Sequence, residues 1–438
     1  LLTHSHSAKL LAVKKVMSNK GAKTPGTDSV VIRTGEEKIK LASSLKHHSY
    51  KAKPLRRIYI PKKNGDKRPL GIPTIKCRAM QALYLLAFEP IVESKADPNS
   101  YGFRPYRSCA DAIQQCFVCF AKKSSSKWCL EGDIKSCFDK ISHKWLLDNI
   151  PIHNRILKQW LSSGFIENKS LFPTSEGTPQ GGIISPALLN YTLSGLEEAI
   201  KSVTRVKDKV NVIVYADDFI VSAASEDVLV SKVKPTIERF LLERGLSLSE
   251  KKTHITHIDK GFDFLGANIR KYKGKLIIRP SEKNVKMFLN NIGNQIKVMR
   301  ASKTEHLIRT LNRKIQGWAN FHRHICAKKT FVRVDHEITM KLIRWARRRH
   351  PNKSAQWVWS KYFSGPGCNS GQLSTKVGKE DKLLKLTLAT RTPIIRHIKF
   401  RAKMNPYKDE FGKYVMKLKD MREFRKKSKA GSDNNQAL

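Results

Sequence analysis

Two aspartates stand side by side in VYADDF, Val214–Phe219, between the apolar runs Val212–Val214 and Phe219–Val221. The flanks read as buried strands, which puts Asp217 and Asp218 at the tight end of a hairpin. Adjacent anions repel in such a place and become favourable once a divalent cation sits between them and a further ligand. Asp133, 84 residues earlier at the end of the apolar run WCLEGD, can supply that third oxygen donor. Three carboxylates without a Cys/His set suit a hard cation such as Mg²⁺ better than zinc. With two such ions, one activates an attacking oxygen and the other steadies the leaving oxygen of an in-line phosphoryl displacement. The competing interpretation is a pair of solvated turn aspartates, since Asp is a common turn residue. The doublet by itself does not decide between them.

The rest of the chain is short of acid. Its 438 residues hold 84 Lys+Arg against 37 Asp+Glu, a formal net charge of +47. Such a charge repels itself in a compact state unless an anionic partner offsets it. Nucleic acid is the partner that fits, because the basic residues are spread over most of the chain and no long apolar run offers a membrane span. The length allows two or three domains with substantial cores. Of eight cysteines, most fall in core-like segments, as expected of reduced thiols inside a cell. Cys116 and Cys119 form a C-x-x-C without a second pair to complete a zinc set, so packing on a helix is the expectation. His4 and His6 have equally little to recommend them as metal ligands. No signal peptide is visible. The chain opens without Met inside a helix-like stretch, SAKLLAVKKVM, so the native N-terminus, with any targeting segment, is expected to precede Leu1.

Several elements must position the acids. Residues 54–73 read as a hairpin turning at Asn64-Gly65, with Lys62 opposite Arg68 if the loop is Asn64–Asp66. A helix is predicted from Lys76 to about Val92, with Met80, Leu83, Tyr84 and Ala87 as its apolar stripe. WCLEGD ends a buried strand at Asp133, and Ser142 is the N-cap of the next helix. GTPQGGIISPALLNYTL is a Gly/Pro-rich loop feeding an apolar helix, and another helix covers Val228–Leu242. Short apolar strands alternating with helices indicate an α/β domain. Beyond about Pro280, Leu307, Leu311, Ile315, Trp318 and His322 recur at helical spacing, as do Val334, Ile338, Leu342 and Trp345. Between Arg300 and Trp359 stand fifteen Lys/Arg and three Asp/Glu, the composition of a basic helical bundle. Both tryptophans fall on the apolar stripes and are expected in its core. SGPGCNSG reads as a loop before a last basic segment, and the tail AGSDNNQAL as disordered.

In order along the chain, RRIYIPKKNGDKRPLGIP, YGFRPYRSCADAI, EGDIKSCFDKISH, GTPQGGIISPALLN, YADDF, GLSLSEKKTHI and FDFLG resemble the successive blocks of reverse transcriptases, most of all those encoded by group II introns. GWANFHRH and WARRRHPNK are similar to the maturase region that follows the polymerase in that family. RTPIIRHIKFRAKMNPYKDEF resembles the segment after it. The resemblance runs from about residue 8 to 420.

The resemblance implies a right-hand polymerase fold of the α/β (α+β) class. Fingers and palm, with an antiparallel palm sheet, would span 1–275; a helical thumb and maturase domain 276–363; and a small basic DNA-binding segment 364–438. It implies an RNA-directed DNA polymerase and intron maturase using two Mg²⁺ ions held by Asp133, Asp217 and Asp218. Phe138 would lie beneath the incoming sugar, where its ring disfavours a 2′-hydroxyl. Arg56, Lys62 and Arg68 would hold the triphosphate, which suits Arg forks and a Lys point charge. Gln180 would lie near the incoming nucleotide, with Gly181 and Gly182 allowing close backbone approach. Lys252, with Lys251 as a close competitor, would stand beside the leaving pyrophosphate, and FDFLG would form the primer-gripping turn. Arg309, Arg313, Arg323, Arg347, Arg348 and Arg349 would face RNA, their cations mixed with rings such as Phe321. The implied partners are group II intron RNA, target DNA and deoxynucleoside triphosphates, in a ribonucleoprotein, monomeric or dimeric, with no membrane. The implied setting is bacterial cytoplasm or an organelle. No H-N-H endonuclease set of paired cysteines follows NPYKDEF, so bottom-strand cleavage is not expected of this chain. Two other classes stay open: a splicing-only RNA-binding maturase, against which the intact aspartates speak, and a domesticated reverse transcriptase in defence or repair, against which the basic bundle speaks.

Overall fold

The computed structural model describes residues 2–61, 67–365, 371–378 and 382–434. The chain forms two compact units, one of Leu1–Gln115, Ser124–His257 and Phe400–Gly412, the other of Cys116–Lys123, Ile258–Lys399 and Lys413–Leu438.

The first unit holds two four-stranded sheets. In one, β1 (Leu55–Pro61) pairs antiparallel with β2 (Lys67–Ile72) and parallel with β4 (Phe165–Glu167), which pairs with β5 (Ser170–Phe172). In the other, β6 (Asn211–Tyr215), β7 (Asp218–Ala223), β3 (Trp128–Asp133) and β8 (His254–His257) lie in that order, all antiparallel. Alternating strands and helices would by themselves suggest parallel pairing, yet β1–β4 is the one parallel pair among the described strands. Most of these pairs are hairpins, and strands joined by short turns can pair only antiparallel; β3 meets β7 and β8 across long connections. The β1–β2 register sets Ile60, not Lys62, opposite Arg68. Lys62 and the loop Asn64–Asp66 lie outside the described residues.

The helix Ile75–Lys95 starts on the cap Thr74, whose hydroxyl accepts from Cys77 N at 3.2 Å. Met80, Leu83 and Tyr84 are buried as predicted, but so are Cys77, Ala79, Gln81, Ala82 and Leu85. The helix is central, packed against both His6–Met17 and Ser185–Leu193, so one stripe understates its burial. Cys116 and Cys119 are buried side chains of the helix Cys109–Phe120. Ser142 caps His143–Asn149, its hydroxyl accepting from Trp145 N at 3.2 Å.

The second unit begins with a three-stranded meander, β9 (Phe262–Phe264), β10 (Ala267–Tyr272) and β11 (Lys275–Pro280). Helices Glu282–Val298, Thr304–His322, Lys328–Arg349 and Ala355–Phe363 follow, then the hairpin of β12 (Ser374–Val377) and β13 (Lys382–Lys385). Leu307, Leu311, Ile315, Val334, Ile338, Leu342 and Trp345 are buried, as their spacing requires. Trp318 is half-buried: it stacks on Phe288 at 4.6 Å and donates to Asn284 Oδ1 at 2.9 Å. Asp335 ties the chain back to the bundle by accepting from Ala389 N at 2.7 Å and Thr390 N at 2.9 Å.

Candidate active site

β3 and β7 carry the acids to one sheet end. Their register sets Asp133 opposite Asp218, and β6 and β7 close through the two residues Ala216 and Asp217. Ile134 N donates to Asp217 O at 3.3 Å, so the turn also holds the chain just past Asp133. Crowding by protein, and then the charges of Asp217 and Asp133, push the Asp218 carboxyl up to about 6, although solvent still reaches it. Hydrogen bonding with Asp133 adds a smaller upward push. Burial also raises Asp217; the charge of Asp133 adds to this, while Arg68 and Lys252 pull it back. The Cys137 thiol is pushed up by burial and then by Asp217, Asp133 and Asp139, which places all three acids within electrostatic reach of one buried sulfur.

Lys252 ends the short turn Glu250–Lys252 and sets its ammonium on Asp133, 3.0 Å from Oδ1 and 2.9 Å from Oδ2. Ser249 N donates to Asp133 O at 2.8 Å, which brings this turn to the strand end. Among the described residues no three His, Cys, Asp or Glu side chains are set close enough to enclose an ion. The donor set nevertheless fits magnesium in kind. It is all carboxylate oxygen and mutually repelling, with an ammonium already on Asp133 where a divalent cation could do the same work.

A second cluster adjoins the acids. Gln180 Nε2 donates to both Asp139 carboxylate oxygens at 3.1 Å, and its Oε1 accepts from Arg68 Nε at 3.0 Å. Gly71 N donates to Gln180 O at 2.8 Å. Gly181 has φ +118, and a Cβ there would stand 2.8 Å from Gly71 O, so the loop can lie against β2 only with glycine. Thr178 N donates to Phe138 O at 2.6 Å, fastening the same loop to the Phe138 backbone. The Phe138 ring is buried and meets Phe103 edge-on at 6.2 Å.

Asp133, Asp217, Asp218, Lys252, Arg68, Gln180 and Phe138 are thus gathered in one region, and Arg56 is not. It shares a face of the hairpin with Arg68 but lies four residues along, roughly 13 Å at strand rise, near enough to Arg78 to repel it. Asp139 stands in EGDIKSCFDK, where nothing in the sequence gives it a role; only folding reveals it as the anchor of Gln180.

In the second unit Arg309 and Arg313 are exposed on Thr304–His322, with Arg309 paired to Glu305 at 2.9 Å. Arg347, Arg348 and Arg349 are exposed at the end of Lys328–Arg349, where cations also favour the helix dipole. Arg349 donates to Ser302 O at 2.7 Å and lies over Trp345. Arg323 is half-buried, and burial lowers its pKa. Arg348 and Arg349 edge a groove of about 770 Å³ whose lining includes Lys297, Arg300, Lys341 and Arg344 and, among the described residues, no acid. Among the described residues no helix is long and apolar enough to cross a membrane.

Residues 60–269 match the family described as reverse transcriptase (RNA-dependent DNA polymerase), 285–363 the group II intron maturase-specific domain, and 1–45 the N-terminal domain of reverse transcriptase. The chain is 33% identical over 300 residues to Protein YkfC of Escherichia coli (strain K12), covering 58% of this chain and 78% of that protein. It is 30% identical over 396 residues to the group II intron-encoded protein LtrA of Lactococcus lactis subsp. cremoris, covering 74% of this chain. The chain belongs to the reverse transcriptase/maturase family of group II introns. It spans 65% of the length of the Lactococcus protein. A telomerase structure from Candida albicans aligns at a TM-score of 0.41 and 13% identity, over 80% of this chain and 64% of that one, a likeness too low to bear on the fold. The reverse transcriptase match contains the β6-β7-β3-β8 sheet, and the maturase-specific match overlaps the helices from Glu282–Val298 to Ala355–Phe363.

Proposed function

We propose that this chain is an RNA-directed DNA polymerase and intron maturase. It binds its group II intron RNA, promotes splicing, and copies the RNA into DNA from a primer at the target site. The observation that carries the proposal is the meeting of Asp133, Asp217 and Asp218 at one strand end, with Lys252 on Asp133. Asp133 and Asp217 are the principal ligands and Asp218 completes the triad. These carboxylates would hold two Mg²⁺ ions, which would supply activation of the primer hydroxyl and charge neutralisation at the departing pyrophosphate. Arg68, oriented by Gln180, offers its guanidinium to the triphosphate, with Lys62 as a further cation. Lys252 turns from Asp133 toward the leaving pyrophosphate, and Phe138 bars a 2′-hydroxyl. Arg309, Arg313, Arg323 and Arg347–Arg349 serve the intron RNA from 276–363, while 1–275 is fingers and palm and 364–438 meets target DNA. The compartment is bacterial cytoplasm or an organelle.

Primer extension on an RNA template with Mg²⁺ tests this. Wild type should make cDNA, and Asp217→Ala should abolish it while leaving intron binding intact. Intron binding without cDNA from wild type would make the chain a splicing-only maturase. Binding no tighter than to random RNA would instead point to a defence or repair enzyme.

A further inference from the structure

Beside the aspartate turn runs a segment whose exposed aromatic residue has no part in the proposed chemistry. Tyr101 N donates to Val214 O at 2.9 Å and Val214 N to Asn99 O at 3.0 Å, so this segment lines the outer edge of β6. Gly102 then passes so close to the turn that a Cβ there would stand 2.3 Å from Ala216 N. Asn190 Nδ2 donates to Gly102 O at 3.0 Å and holds the approach. The next residue, Phe103, has φ +57, a left-handed conformation that disfavours any residue with a side chain. Arg104 prevents relaxation: its buried guanidinium donates to Glu93 Oε1 at 2.7 Å and to the carbonyls of Asp97 and Ser100 at 2.8 Å.

Phe103 is 55% exposed, whereas Tyr101, Phe138 and Phe219 are buried. Its ring meets Phe138 edge-on, with centroids 6.2 Å apart and planes at 75°. A strained backbone and an exposed ring coincide at one residue, directly after the glycine that passes against the turn carrying Asp217. Strain held this way by its surroundings is characteristic of functional sites.

We propose that Phe103 is a positioning residue that determines sugar specificity. Its edge contact fixes the orientation of the Phe138 ring, so that the pair, rather than Phe138 alone, excludes a 2′-hydroxyl. This rests on Phe138 being the sugar filter. A lone exposed aromatic of no consequence is the ordinary alternative, and it requires that sugar choice be indifferent to residue 103.

The test compares kcat/KM for a deoxynucleotide and the matching ribonucleotide on an RNA template, with melting temperature, for wild type, Phe103→Gly, Phe103→Leu and Phe138→Ala. An edge-to-face pair is strong enough to alter discrimination about two- to tenfold. Phe103→Gly should lower the ratio by that factor through faster ribonucleotide use, while melting holds or rises because glycine takes φ +57 without strain. Phe103→Leu, which keeps apolar bulk, should lower the ratio in the same direction. If Phe138→Ala relaxes sugar choice and both Phe103 variants leave it unchanged, the positioning role is overturned and Phe138 stands alone. An unchanged Phe138→Ala would overturn the sugar filter and the positioning role together.

Discussion

Replacing Asp218 with Asn should make the metal-free protein more stable at neutral pH, although Asp218 belongs to the proposed catalytic triad. Its carboxyl is moved from an ordinary 3.8 up to about 6, so the folded state holds the proton more tightly than the unfolded chain does. Below the unfolded value the group is protonated in both states and the fold loses nothing. As pH rises from 3.8 to about 6 the native state binds more protons than the unfolded one, so stability falls, and above that the penalty is complete. At 1.36 kcal/mol per tenfold, the displacement corresponds to about 3 kcal/mol. Solvent reaches Asp218, however, and screening reduces this to about 1 kcal/mol. For a folding unit of this size, that is a rise in melting temperature of about 2–4 °C. Thermal melts of both proteins at pH 8 in EDTA read the difference directly. Repeating them near pH 3.5 should erase it, and added Mg²⁺ at pH 8 should stabilise wild type more than Asp218→Asn. A variant that melts below wild type at pH 8, or a gain as large at pH 3.5 as at pH 8, would refute the claim that crowding and neighbouring charge penalise the ionised carboxylate.

Other outcomes follow from the same geometry. Lys252→Met removes the cation that lowers Asp217 and Asp218, so the acidic limb of the pH–rate profile should move to higher pH; an unmoved limb would detach Lys252 from the triad. Gln180→Ala breaks the Asp139–Gln180–Arg68 bridge and should raise KM for deoxynucleotides roughly tenfold, about the worth of one charge-assisted hydrogen bond, with a smaller change in kcat. Neutralising Arg347, Arg348 and Arg349 should flatten the salt dependence of RNA binding by about 2–3 in log–log slope. Buried His322 titrates at about 4, so the maturase region should lose stability as pH falls from 6.5 toward 4; His322→Gln, able to keep a bond to Asn284, should remove that acid sensitivity in melts.

The acids were legible because their chemistry and their strand context agree. Asp133 ends an apolar run and Asp217-Asp218 interrupt another, and the fold pairs those runs as β3 and β7. The bundle was legible for a similar reason: Leu307, Leu311 and Ile315 keep the helical period and are buried. The β1–β2 register was not, because Asn-Gly is compatible with several loop lengths and one residue changes every partner. Nor was Asp139, whose partner Gln180 is 41 residues away and reaches it through a loop that no local propensity specifies.

What the sequence alone determined was the kind of chemistry: which residues carry charge, which strands bury them at their ends, and an excess of cations that calls for a polyanion. Tertiary structure decided the partnerships. It chose Lys252 over Lys251 for Asp133, put Arg68 rather than Arg56 with Gln180, and held Phe103 in a conformation its own side chain disfavours. Composition and period are properties of short segments and survive in one dimension. Which charge meets which depends on packing between segments far apart in the chain, where a single rise of a strand or turn of a loop moves a side chain out of reach.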